Sequence, residues 1–279
     1  LFYPPAIYIT RIFYKPGRKP LFAIKKDVEY TKQMGFNGAR KHQKIEDPRY
    51  YYWADRLGLL VWGEVPSGYE YNDEQTVNIT NELIQFVNRD YNHPCIVTWV
   101  PLNESWGVRN IYSDQQQQDF AMSLYFLIRS LDQTRLISTN DGWEQVYSDI
   151  SAVHDYMASG EKFLEKYADK EAILCKSAVG RMLYCEGTEY EGQPVLITEY
   201  GGIAMDTGKA GWGYNGLVKG EEDFLKRYES ITRAIQNTPY IRGYCYTQLT
   251  DVFQEINGLL TMDREFKINP DEVRKINNR

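Results

Sequence analysis

The chain has 279 residues, 43% of them hydrophobic and 25% charged, with a formal net charge of −6. That length suits one large domain, about the ~250 residues of a (β/α)8 barrel, and the composition supports a real core. The acidic balance excludes a phosphate-binding basic face, so no nucleic-acid partner is expected, and no apolar run approaches the ~18 residues of a membrane span.

Residues 1–22 form an atypical N-terminal segment. The first twenty-six residues hold six basic side chains (Arg11, Lys15, Arg18, Lys19, Lys25, Lys26) and no acidic one. Pro4, Pro5, Pro16 and Pro20 interrupt any long element there. Within it, Pro5–Phe13 carries the β-branched and aromatic residues of a strand. Residues 23–279 then alternate helix and strand. Ile24 and Val28 mark a helix that stops at Gly35. Phe36–Arg40 reads as a strand. Asp47-Pro48 caps a helix that ends at Gly58. Leu59–Trp62 is a short buried strand. Val77, Leu83, Ile84 and Val87 mark a helix closing before Pro94, and Ile96–Leu102 is the next strand. Ser113 or Asp114 caps a helix with Phe120, Leu124, Leu127, Ile128 and Leu131 on one side. Arg135–Thr139 and Ile150–His154 are strands joined by the loop Asn140-Asp141-Gly142-Trp143. A helical stretch over 160–184 leads to a strand at 195–199. A helix over 221–236, the strand Ile241–Thr247 and a last helix over 271–277 complete the pattern. Seven strands in βα order need an eighth, and Pro5–Phe13 is the candidate. The fold class expected is therefore an α/β TIM barrel in one domain.

Two of these strands end on a glutamate that opens a loop: Trp99-Val100-Pro101-Leu102-Asn103-Glu104-Ser105-Trp106 and Val195-Leu196-Ile197-Thr198-Glu199-Tyr200-Gly201-Gly202. Carboxylates at the carboxyl ends of barrel strands sit where such folds build active sites, and a facing pair is the minimum for cleaving a glycosidic bond. A lone strand-end glutamate is more often a surface ion-pair residue, but two on one barrel favour catalysis. Arg40, ending its own strand, is placed to keep Glu199 ionised. Trp99 and Trp106 flank Glu104 and are expected to raise its pKa by desolvation. Asn103 offers an amide for a sugar hydroxyl. The four cysteines (95, 175, 185 and 245) form no CxxC pair and the three histidines (42, 93 and 154) are scattered, so neither a disulfide framework nor a metal site is implied.

The stretches Gly35–Arg40 and Trp53–Glu64, the pair Asn103-Glu104 and Ile197–Gly201 together resemble the catalytic barrel of glycoside hydrolase family 2, which includes β-galactosidases, β-glucuronidases and β-mannosidases. The resemblance covers about residues 23–279. It implies a (β/α)8 barrel, a carbohydrate substrate and a retaining β-glycosidase that works through a covalent glycosyl-enzyme. It implies no organic cofactor. Matched by motif, Glu104 would be the acid/base and Glu199 the nucleophile. Arg40 would support the nucleophile, and Asn103 would bind the 2-hydroxyl. Family members carry sandwich-like β-domains ahead of the barrel, so this chain is expected to be a fragment from which they are missing. Three departures stand out. Gln43 occupies a place where many members have histidine, with His42 one earlier. The string Tyr244–Asp251 has no Trp. No Asn-x-Lys occurs, which counts against a glucuronidase.

Further candidates lie on the same rim. Tyr156 is placed to hydrogen-bond the nucleophile, and Asp155 to bind a hydroxyl. Asp141 and Trp143 suit sugar binding. Glu64 is a substrate contact or a rim ion pair. Asp251 and Glu255 are rim residues of either kind, and Trp212 lines an outer subsite or anchors its loop. Glu186, Glu189 and Glu191 precede their strand and belong to the opposite, solvated face. Asn78-Ile79-Thr80 is a formal glycosylation sequon inside a helix and is discounted. The other class of function open to such a chain is a non-catalytic sugar-binding barrel or an inactive fragment, for which an intact glutamate pair is not required.

Overall fold

The computed structural model describes residues 7–9, 20–175, 180–206, 208 and 210–278, with the side chains of residues 7–9 and 20–22 left aside. Eight strands form one sheet: β1 (Ile7–Ile9), β2 (Gly38–Arg40), β3 (Leu60–Glu64), β4 (Ile96–Val100), β5 (Leu136–Ile137), β6 (Ser151–His154), β7 (Val195–Gly201) and β8 (Ile241–Thr247). The order is β5-β4-β3-β2-β1-β8-β7-β6, and every neighbouring pair is parallel. Ile7–Ile9 lies between Gly38–Arg40 and Cys245–Thr247. The rest of the predicted Pro5–Phe13 strand, and Arg11, Lys15, Arg18 and Lys19, fall outside the described residues.

The seam between β5 and β6 is closed by loop contacts. Asp149 N donates to Ile137 O at 2.9 Å, and Ser148 Oγ donates to the same carbonyl at 3.2 Å. Further up, Leu102–Asn103 pairs in parallel with Asn140–Asp141, and His154 N donates to Gly142 O at 3.3 Å. Parallel strands need crossover helices on the outer face. These are α1 (Pro20–Gln33), α2 (Pro48–Leu57), α3 (Asp73–Asp90), α4 (Gln115–Leu131), α5 (Gly160–Lys166), α6 (Lys170–Cys175), α7 (Gly220–Asn237) and α8 (Pro270–Asn277). The main core lies between helices and strands. A second, smaller cluster of Trp62, Val100, Ile150 and Ala152 fills the barrel interior.

Local chemistry sets the element ends. Asp47 caps α2 by accepting from Arg49 N, Pro48 begins it, and Gly58 at φ 68 ends it. Two expectations need correction. The stretch over 160–184 is two short helices, because Asp169 Oδ1 caps a new start at Glu171 and Ala172. Its far end is not helical: Glu144 N donates to Met182 O and Cys185 N to Gln145 O, both at 2.9 Å. The strand expected over 135–139 is only Leu136–Ile137, and Asn140–Asp141, expected as loop, pairs with Leu102–Asn103. The four cysteines are free.

Candidate active site

Barrel topology brings one set of side chains to one rim. Arg40 and Glu64 end β2 and β3, and Asn103 and Glu104 follow β4. Asp141 follows β5, His154 ends β6, and Glu199 lies near the end of β7. Glu104 and Ser105 have φ values of 52° and 57°. Two consecutive non-glycine residues in the left-handed region cost roughly 1–3 kcal/mol each, so the surroundings must hold them. Glu104 N donates to Asp141 O at 2.9 Å, and Ser105 N to Asn140 Oδ1 at 3.0 Å. Ser105 Oγ donates to Glu144 Oε2 at 2.6 Å. This turn aims the Glu104 carboxylate into the barrel mouth.

Arg40 is the hub. It is fully buried, and its guanidinium donates to Glu64 Oε2 at 2.7 Å, Glu199 Oε1 at 3.0 Å and Asn103 Oδ1 at 2.5 Å. Asp141 Oδ1 lies 3.1 Å from Nη1. Glu199 also accepts from the Tyr156 hydroxyl, and Tyr156 is fixed by face-to-face stacking on Tyr214 at 3.6 Å. His42 Nδ1 lies 3.5 Å from both Glu64 and Glu199. His154 Nδ1 sits 2.8 Å from Glu104 Oε1, and its Nε2 sits 2.8 Å from Asp141 Oδ1. One oxygen of Glu104, one of Glu199 and a ring nitrogen of His154 all lie within 4.8 Å of one another. Among the described residues this is the grouping whose atoms a metal ion would find. Yet these atoms already face Arg40, Tyr156, Asp141 and each other, and the guanidinium supplies the positive charge.

Above this floor opens a cavity of about 410 Å³. Glu104, Glu199, His42, Gln43, Ser67, Tyr69, Trp106, Tyr156, Trp212, Tyr214, Gln248 and Glu255 are among its walls. Glu199 is at the floor and Glu104 nearer the lip, their side chains 7% and 22% exposed.

The electrostatics correct one expectation. Trp99 does not desolvate Glu104; it is buried in the core, edge-on to Phe86, with its indole N–H donating to Asp132 at 2.9 Å. Burial does push the Glu104 carboxyl up. The hydrogen bond and charge of His154, then Arg40 and the Trp106 indole, outweigh it, and the net shift is downward. Burial raises Glu199; His154 and Arg40 pull it down and the Glu104 charge pushes it up, leaving it raised. Glu64 is pushed up to about 7, chiefly by burial, despite Arg40. Burial pushes Asp141 up too, but Arg40 and His154 prevail and hold it well below the usual range.

The remaining sequence candidates divide. Asn103, Asp141 and Glu64 gather around Arg40, which itself meets Glu199, but Asp141 and Glu64 are fully buried and serve Arg40 and His154 rather than the cavity. Asp155 does not face the site. It is buried and taken by Lys166 Nζ at 2.5 Å and Tyr167 OH at 2.8 Å, because its side chain turns outward from β6 to α5. Trp143 packs edge-on against His154 and under Arg181, behind the cavity. Asp251 is tied to Lys267 at 2.8 Å, whereas Glu255 and Trp212 line the cavity. Glu186, Glu189 and Glu191 are exposed. The sequence reading missed the central place of His154, which it counted among three scattered histidines. The signal available was that His154 ends a strand on the glutamate rim.

A family model described as "Glycosyl hydrolases family 2, TIM barrel domain" matches residues 20–277. The chain belongs to glycosyl hydrolase family 2. The family-2 chains it resembles are longer. A putative β-glucuronidase of Formosa agariphila is 34% identical over 116 residues, covering 40% of this chain and 14% of that protein. A β-galactosidase of Thermoanaerobacterium thermosulfurigenes is 29% identical over 191 residues, covering 65% of this chain and 23% of that protein. Among solved structures, the family-2 β-galacturonidase of Eisenbergiella tayi bound to galacturonate superposes with a TM-score of 0.74 at 18% identity, covering 98% of this chain and 51% of the other. The β-glucuronidase of Bifidobacterium dentium gives 0.73 at 21%, covering 98% and 46%. At such identities the superpositions show the TIM-barrel fold alone.

Proposed function

We propose that this family-2 barrel is the catalytic unit of a retaining β-glycosidase. The observation that carries the reading is the approach of Glu104 and Glu199, with carboxylate oxygens within 4.8 Å. Retaining enzymes hold their carboxyl groups ~5–5.5 Å apart, and inverting ones ~6.5–9.5 Å to admit a water. Glu199, deeper and braced by Arg40 and Tyr156, attacks the anomeric carbon. Glu104, nearer the lip, protonates the departing oxygen. It then removes a proton from the water that releases the sugar, and the proton account closes over the cycle. Asn103 Nδ2, buried with no hydrogen-bond partner among the described residues, is the donor for the sugar's 2-hydroxyl.

With both carboxyls able to ionise, the directions run opposite to this division: burial raises Glu104 but His154 brings it down, whereas burial leaves Glu199 raised. Arg40 and Tyr156 favour charge on Glu199, and the Glu104 charge opposes it. Moving a proton to Glu104 removes that opposition, so arming the acid also ionises the nucleophile. The curated relatives named β-galactosidase and β-glucuronidase support a β-linked substrate. A carbohydrate is the partner this site calls for.

The test is hydrolysis of aryl β-glycosides (galactoside, glucoside, mannoside, glucuronide, xyloside) by the purified chain, beside Glu199→Gln with its fold checked by circular dichroism. Turnover of one glycoside that disappears in Glu199→Gln is expected. A folded chain that turns over none of them, yet binds a sugar, would replace this reading with a non-catalytic barrel.

A further inference from the structure

The two glutamates do not face each other alone. His154 is fully buried between Glu104 and Asp141, 2.8 Å from each. Asp141 is a fixed acceptor, held by Ser138 Oγ at 2.7 Å and Arg40 Nη1 at 3.1 Å. A bare ring nitrogen 2.8 Å from a carboxylate oxygen would set two lone pairs against each other, so Nε2 carries a hydrogen. Nδ1 then meets Glu104 across 2.8 Å in one of two arrangements. Either a protonated Glu104 donates to a neutral ring, or a protonated ring donates to the carboxylate. Both contain the same number of protons. The loop passes this ring only because residue 142 is glycine: at its φ of 112° a Cβ would sit 2.8 Å from Nδ1.

We propose that His154, anchored on Asp141, is a positioning residue that shares one working proton with Glu104. This rests on the reading of Glu104 as acid/base. In the first step the O–H bond to the leaving group forms with the shared proton. Glu104 is left as carboxylate and His154 as a neutral ring with Nε2–H on Asp141. In the second step the proton taken from water returns to the pair. The benefit is retention: an imidazole–carboxyl pair keeps its proton to a higher pH than a carboxyl alone. Three carboxylates that favour a charged ring face it, and one cation that opposes it. Asp141 follows β5, Glu104 follows β4, Glu199 Oε2 of β7 lies at 3.5 Å, and Arg40 Nη1 of β2 lies at 3.2 Å. Next to it in sequence, Asp155 is taken by Lys166. Burial lowers the ring's pKa, but Glu199, Asp141 and Glu104 raise it further, to about 10.

Imidazole ¹⁵N NMR over pH 5–10 reads this without turnover. The chain has three histidines, and His154→Asn assigns the third signal. The wild-type His154 ring should remain protonated through pH 8, and Glu104→Gln and Asp141→Asn should each lower its midpoint by more than about one unit. A ring that titrates near its ordinary value and ignores Glu104→Gln overturns the proposal. The second arm is kcat/KM of His154→Asn against pH, which should fall at least about tenfold more at pH 8.5 than at pH 5.5. Equal losses at both pH values mark a purely structural role and also overturn it. Coupling seen by NMR in a chain that hydrolyses nothing would sink the glycosidase reading and leave the pair standing. If His154→Asn fails to fold, Asp141→Asn carries the kinetic arm.

Discussion

Arg40 shows how much of this site depends on single side chains. A buried guanidinium is expensive to desolvate, and the cost is met only if every neighbour is matched. Here Glu64, Glu199, Asp141 and Asn103 surround it. Arg40→Met should destabilise the chain by about 3–5 kcal/mol, because it leaves buried carboxylates uncompensated; the urea midpoint at pH 7 checks this. Glu104 makes a chemical prediction. Glu104→Ala should lose about 10²–10⁴-fold on a glycoside with a poor leaving group and much less on a dinitrophenyl glycoside, whose leaving group needs no proton. Added azide should then yield the β-glycosyl azide, visible by ¹H NMR; the α-azide would contradict retention. His154 predicts a pH dependence of stability. Its folded pKa is raised from 6.5 to about 10. Its contribution is therefore complete below about 6.5 and lost as pH rises through 10. Wild-type urea midpoints should fall across that window relative to His154→Asn; parallel profiles would refute the shift.

At the scale of elements, the strained turn after β4 is held by the segment after β5. Asn140 Oδ1 accepts from Ser105 N at 3.0 Å, and its Nδ2 donates to Ser105 Oγ at 3.0 Å and Trp143 O at 2.9 Å. Arg181 grips Glu144 at 3.0 Å from behind. Asn140→Ala strands a buried N–H and should cost about 1–3 kcal/mol. Because that N–H follows Glu104 directly, kcat on a poor leaving group should fall more than kcat on a dinitrophenyl glycoside. Equal losses would mean that Asn140 supports the fold alone. The elements also show what sequence reasoning can reach. The Asp47-Pro48 cap and Gly58 stop of α2 were readable because caps are local chemistry. The face of α3 was only half readable. Leu83 and Val87 are buried as expected, but Val77 is exposed and Ile79 and Phe86 take its place. The helix begins at Asp73, four residues earlier than its apolar pattern suggested. The non-helical far end of 160–184 was hidden, because the N–H groups that bond the Met182 and Leu183 carbonyls belong to Glu144 and Gln145, distant in sequence.

The molecule as a whole was legible because a βα alternation has few solutions, and two strand-end glutamates fix which rim matters. The interior partners were less so. Asp155 is next to His154 in sequence but points out of the barrel, while Asp141 and Glu104 reach it from other strands. Closure depends on a three-residue strand. Ile7–Ile9 pairs with β2 on one side and β8 on the other, through three residues each. Without it, Gly38–Arg40 and Cys245–Thr247 become facing open edges, and such edges recruit other chains. Arg40 ends one of those edges and Thr247, beside Tyr156, ends the other, so the edges flank the site. A chain beginning at Pro20 should therefore lose cooperative unfolding by circular dichroism and sediment as oligomers, with no turnover. If it instead remained monomeric and cooperative, the β2–β8 gap would have to close without β1, and the eight-strand arrangement would not be what holds the two glutamates in place.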